Sequence, residues 1–202
     1  MDMICLDLEG VLVPEIWINV SKKTGISELM ITTRDEPDYD VLMKKRIEIL
    51  HSHNLTLTDI KEVIASIDPL PGALEFLDAL RSKTQVIILS DTFSEFAAPL
   101  MAKLGYPTIF CNSLVVDEND RIIGYTLRQQ DGKKWAVTAL KQIGFTVFAA
   151  GDSYNDLTMI KVADKGALFR APEKIIEEEP NLPLATTYNE FMTIIDNFIG
   201  NM

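Results

Sequence analysis

The chain has 202 residues, with 30 acidic against 19 basic side chains and a formal net charge of −11. That length supports one domain, or a domain with a smaller insert, around a substantial core. The acidity excludes nonspecific nucleic-acid binding, because a polyanion is repelled where Lys and Arg would have to replace its counterions. No apolar run approaches the roughly 20 residues of a membrane span, and Met1-Asp2-Met3 lacks the basic start of a signal peptide, so a cytoplasmic protein is expected. Cys5 and Cys111 sit in apolar runs and read as buried, reduced thiols rather than metal ligands.

The first apolar run, Met3 to Leu6, reads as a buried strand and leads into Asp7-Leu8-Glu9-Gly10-Val11. Carboxylates at i and i+2 directly after such a strand project to one side at the carboxyl edge of the sheet, where open α/β sheets bind their ligands. From Pro14 to about Pro69 the pattern is helical with no convincing strand, too long for an ordinary crossover. It reads as a small helical insert over 14–69, with helices at Glu15 to Lys23, Asp38 to His51 and Thr58 to Ile67. His51 and His53 point to different faces and read as surface or cap residues. Pro69-Leu70-Pro71-Gly72 is the return linker, and Ala73 to Arg81 the crossover helix of a main domain over 1–13 and 70–202.

Further short apolar runs follow at Gln85 to Leu89, Thr108 to Cys111, Thr146 to Ala149, Ala167 to Phe169 and Leu184 to Thr186, alternating with helical segments. This is the pattern of parallel strands buried on both faces. Leu114 to Asp117 and Ile122 to Arg128 alternate instead like an exposed hairpin. The fold class is therefore α/β: a Rossmann-like, doubly wound, mostly parallel sheet with a small helical cap inserted after the first strand.

Chemistry gathers at the strand ends. Ser90 closes one strand, Lys133 and Lys134 open a helix, and Gly151-Asp152-Ser153-Tyr154-Asn155-Asp156 follows another strand. Each has a bland reading, as an N-cap, a surface lysine or a capped helix start. Two acidic clusters at sheet ends are not both explained by capping. Crowded carboxylates repel and call for a cation, and oxygen-only ligands favour Mg²⁺ over Zn²⁺. Ser90 and Lys133 would cradle a phosphate opposite that metal.

In this order, the four segments resemble the motifs of the haloacid dehalogenase superfamily of phosphohydrolases over nearly the whole chain. Within it the chain is similar to the phosphoserine phosphatase family. Asp7 to Glu15 and Leu89 to Phe93 resemble its ThrH type, which is bifunctional as phosphoserine phosphatase and homoserine phosphotransferase. The resemblance implies a nucleophilic Asp7, Glu9 as acid and base, and Mg²⁺ on Asp7, Asp152 and the Glu9 backbone carbonyl, with Asp156 supporting the metal shell. It implies phosphate binding by Ser90, Asp91, Lys133 and Asn155. Glu15 and Arg46 would bind the amine and carboxylate of phosphoserine, with homoserine as a second acceptor and a monomer or homodimer as the assembly. Glu9 stands where most of the superfamily carries Asp. Two rival readings are a phosphatase for another small metabolite and a receiver-like phospho-Asp signalling module, which would have no such insert. No G-x-G-x-x-G follows the first strand to support a dinucleotide site.

Overall fold

The computed structural model describes residues 1–32, 35–36 and 38–200. Seven strands form one sheet in the order β4-β3-β2-β1-β5-β6-β7, comprising β1 (Asp2–Leu6), β2 (Gln85–Phe93), β3 (Ile109–Val116), β4 (Ile122–Thr126), β5 (Thr146–Gly151), β6 (Lys165–Phe169) and β7 (Leu184–Ala185). All neighbours pair in parallel except β3 with β4.

The strands read as unbroken apolar runs because both faces of the sheet are covered. Ile4 and Leu6 of β1, Ile88 of β2, Phe148 and Ala150 of β5 and Phe169 of β6 enter one core cluster, whereas Cys5, Ile87, Leu89, Val147, Ala149 and Leu168 enter the other. Strand periodicity alone makes that division. Helices α4 (Ala73–Arg81), α5 (Ser94–Lys103) and α9 (Tyr188–Ile199) cover the first face, and α6 (Gly132–Gln142), α7 (Leu157–Val162) and α8 (Glu173–Glu178) the second.

From β1 the chain builds outward through β2 and β3 and then returns to place β5 on the other side of β1. The winding reverses between β1 and β5, and a crevice opens at the carboxyl ends of strands at such a reversal. Asp7 and Asp152 follow those two strands directly.

Between β1 and α4 lie α1 (Ile16–Thr24), a short 3₁₀ turn (Ser27–Met30), α2 (Tyr39–Ser52) and α3 (Leu57–Ala65), each helix within two residues of the expected bounds. Local signals set their starts: Asp38 accepts a hydrogen bond from the Val41 N–H, and Thr56 forms a capping box with Asp59. The apolar cluster runs unbroken from the sheet into these helices through Val20, Leu29, Met43, Ile60 and Ile64. The two connecting segments meet where the Leu70 N–H donates to the Leu12 carbonyl at 2.9 Å.

One expectation is corrected. The run Thr108 to Cys111 and the first hairpin arm are a single strand, β3, whose first half pairs with β2 and whose second half pairs antiparallel with β4. The burial pattern changes along it because the neighbouring strand changes. No helix among the described residues is long and apolar enough to cross a membrane.

Candidate active site

Asp7 continues the ladder one residue past β1, its N–H donating to the Ala150 carbonyl at 3.0 Å. Its side chain is buried, with Oδ1 2.8 Å from Lys133 Nζ. Lys133, on the first turn of α6, is only 4% exposed and also lies 2.7 Å from Asp156 Oδ1 and 3.7 Å from Asp91 Oδ2. Oxygens from Asp7, Asp152 and Asp156 all fall within 4.8 Å of one another. Lys134 lies apart, 3.9 Å from Asp131 and half-exposed.

Three carboxylates around one ammonium leave a surplus of negative charge. Burial, reinforced by the charge of Asp156, pushes the Asp7 carboxyl well above its ordinary value against the pull of Lys133. Asp152 is raised to about 7, first by burial and then by Asp156. Burial alone would favour neutral Lys133, but Asp156 and Asp7 more than offset it and hold the ammonium charged. The donor set is all oxygen and short of positive charge, which fits a hard divalent cation such as Mg²⁺ that Asp7 and Asp152 would hold.

Asp156 is committed elsewhere. It is fully buried, and its carboxylate accepts from the backbone N–H groups of Asp152 and Ser153, from the Ser153 hydroxyl and from Lys133. It therefore ties the loop after β5 to α6. A Cβ at Gly151 would overlap the Asp156 carboxyl, and one at Gly10, where φ is +76°, would overlap the Asp152 carboxyl. Both glycines are required because carboxylates occupy the space a side chain would need.

The third edge of the site is the bulged turn within β2 after Leu89. Ser90 is buried, its Oγ accepting from the Thr92 N–H at 3.2 Å. Asn155 Nδ2 donates to Asp91 Oδ2 at 2.7 Å, joining this turn to the loop after β5. Asp7, Ser90, Asp91, Lys133, Asp152 and Asn155 thus gather at the carboxyl ends of β1, β2 and β5, with Asp156 buried behind them.

Glu9, Glu15 and Arg46 face them from the side of the insert. Glu9 Oε2 accepts the Ile16 N–H at 2.7 Å, capping α1. Burial and the neighbouring Glu15 raise its carboxyl to about 8 against the pull of that N–H and of Arg46. Arg46 does not lie on an exposed helix face: it is 7% exposed, donates to the Ile31 carbonyl at 2.7 Å and stacks 4.6 Å from the Trp17 ring centroid. Its Nε has no partner among the described residues. Burial lowers its guanidinium to about 10, while Tyr39, Glu9 and Glu15 favour the charged form. Trp17 and Tyr39, whose hydroxyl lies 3.4 Å from the Asp91 carbonyl, have no signature in the sequence, since an apolar stripe and a helix start account for them equally well.

The family of haloacid dehalogenase-like hydrolases matches residues 39–161, and the chain belongs to it. Among its relatives, the "Phosphoserine phosphatase ThrH" of Pseudomonas aeruginosa is 57% identical over 190 residues, covering 94% of this chain and 93% of that protein. A "Phosphoserine phosphatase" of Pseudomonas syringae pv. tomato is 55% identical over 94% of this chain and 80% of its own length. The fold is shared with a substrate-bound phosphoserine phosphatase complex, with a TM-score of 0.78 at 20% identity over 96% of this chain and 97% of the other. It is shared too with a phospho-aspartyl intermediate analogue of phosphoserine phosphatase, with a TM-score of 0.73 at 20% identity over 91% of this chain and 92% of the other.

Proposed function

We propose that this chain is a Mg²⁺-dependent phosphoserine phosphatase that works through an aspartyl phosphate on Asp7 and also passes the phosphoryl group to homoserine. The observation that carries the reading is the pairing of two groups: buried Asp7 among Lys133 and Asp152, and, beside Glu9 and Glu15, buried Arg46 with a guanidinium nitrogen unpartnered among the described residues. The two Pseudomonas relatives support phosphoserine as the substrate by name.

In the first half-reaction an Asp7 oxygen attacks phosphorus in line as the bond to the seryl oxygen breaks. Lys133 and the Ser90 hydroxyl hold phosphoryl oxygens, with Asn155 and Asp91 keeping their loops together. Mg²⁺, on Asp7, Asp152 and the Glu9 carbonyl, would supply the charge that lets a phosphate ester approach a carboxylate. Glu9 gives its proton to the departing seryl oxygen. A carboxyl raised to about 8 retains that proton near neutrality, as a general acid requires.

In the second half-reaction Glu9 takes a proton from water, whose oxygen attacks the phosphorus, releases orthophosphate and restores Asp7. The homoserine hydroxyl in the same place yields O-phosphohomoserine instead. The longer side chain of Glu9 reaches the start of α1, so acid–base chemistry and the insert share one carboxylate.

Phosphoserine matches the facing wall. Its carboxylate would satisfy the open Nε of Arg46 in a bidentate pair, and its ammonium would meet Glu15. Phosphoserine turnover with and without homoserine, following orthophosphate and O-phosphohomoserine together, tests the proposal. Both products are expected. Turnover of p-nitrophenyl phosphate but not phosphoserine would refute the substrate, and homoserine without O-phosphohomoserine would refute the transfer.

A further inference from the structure

The turn that carries Ser90 exists because β2 leaves its ladder. β2 and β3 pair at Leu89 with Phe110 and next at Phe93 with Asn112, so four steps along β2 oppose two along β3. Ser90, Asp91 and Thr92 fill the difference as a bulge. Such a bulge frees a hydroxyl and backbone groups for a ligand, but it strips the peptide groups beneath of their ladder partners, and buried peptide groups need partners.

Asn112 fills that gap. It is a polar residue only 7% exposed. Its Nδ2 donates to the Asp91 carbonyl at 3.0 Å, and its Oδ1 accepts the Arg128 N–H at 3.0 Å. A primary amide is the one uncharged side chain with a peptide's own donor and acceptor. The amide cannot be turned over: a flip would set oxygen against the Asp91 carbonyl and NH₂ against the Arg128 N–H. The same Asp91 carbonyl receives the Tyr39 hydroxyl from the insert, while the Asp91 carboxylate receives Asn155.

We propose that Asn112 is a positioning residue for phosphate binding: by standing in for a missing ladder bond, while anchored to the Arg128 N–H, it fixes the Asp91 peptide, and with it the direction of the Ser90 hydroxyl. It touches no substrate. The inference rests on reading Ser90 and Asp91 as the phosphate-binding turn, and it concerns only the phosphate half of the site.

The test is orthophosphate binding by calorimetry in the presence of Mg²⁺, for the wild type, Asn112→Asp and Asn112→Ser. In the first variant an oxygen replaces the donor and repels the Asp91 carbonyl. In the second the side chain is too short to reach either group. Affinity is expected to fall about 10- to 100-fold in both, as for other residues that orient a ligating group from behind it. The specificity constants for p-nitrophenyl phosphate and phosphoserine should fall by one common factor. A merely structural Asn112 would lower Tm and leave phosphate affinity unchanged. An unchanged affinity in either folded variant overturns the proposal, as does a loss confined to phosphoserine. A wild type that fails to bind orthophosphate would instead refute the underlying reading of the turn.

Discussion

On the sheet side of the crevice the polar groups are bonded to one another: Lys133 lies between Asp7 and Asp156, Asp156 takes two backbone N–H groups, and Asn155 reaches across to Asp91. On the side of the insert Arg46 has one strong hydrogen bond, an aromatic face beneath it and an Nε with no partner among the described residues. Apart from the cation that its surplus charge calls for, the first wall is bonded within itself, whereas among the described residues the second leaves a buried donor unmet. A preassembled wall suits stabilising a charge distribution common to every phosphate ester. An incomplete wall suits choosing among esters, because a buried donor left unmet penalises any ligand that cannot fill it.

The sharpest way to break that comparison is Asp7→Asn. The amide keeps the shape of the site and leaves Lys133 paired with Asp156, so the fold should survive while turnover falls at least about 10⁴-fold, the scale of losing a nucleophile. Phosphate release and a thermal melt on the same preparation check it. An active, folded variant would move the nucleophile off the sheet wall.

Arg46→Ala should leave the chemistry alone and damage recognition. Loss of a charge-assisted, desolvated pair costs about 2–5 kcal/mol in comparable interfaces, so KM for phosphoserine should rise about 100-fold with little effect on p-nitrophenyl phosphate. Arg46→Lys should not restore it, because an ammonium offers neither the planar fork nor the stacking on Trp17. Equal losses on both substrates would mean that Arg46 supports the insert rather than the ligand.

The same division governs what could be read from the sequence. The strands and the acidic segments after β1 and β5 are local patterns, and burial on both faces of the sheet turns them into apolar runs that stop where the chemistry begins. The burial of Arg46 is not a local pattern, because Lys44 and Lys45 beside it suggest a solvated face. The Ile31 carbonyl and Trp17 that bury it come from other segments. Gly151 shows a subtler gap: a glycine after a strand is a local pattern, but the group that needs its space is Asp156, five residues on and folded back. Asn112 left no trace, since its role depends on a bulge in a strand about twenty residues earlier. The unity of β3 was equally hidden, because its two halves answer to different neighbours.

A metal titration sharpens the comparison at its smallest scale. The Asp7 and Asp152 carboxyls are raised in the folded protein, Asp152 to about 7. Between the ordinary carboxylate range and about 7, the metal-free folded state therefore keeps protons that the unfolded chain has released. Its stability should fall as pH rises through that window. Mg²⁺ binds the deprotonated form, so protons compete with it below 7, and each tenfold loss of apparent affinity removes about 1.4 kcal/mol of stabilisation. With Mg²⁺ at a hundred times its Kd at pH 8, Tm should rise by about 5–10 °C. The same Mg²⁺ concentration at pH 6 should give a visibly smaller rise, and chelation at pH 8 should reverse it. In Asp152→Asn the rise should vanish at both pH values, because the carboxylate that would help hold the ion is gone. A gain independent of pH, or one that survives in that variant, would place the cation outside the sheet wall and separate the acidic cluster from the metal it is proposed to hold.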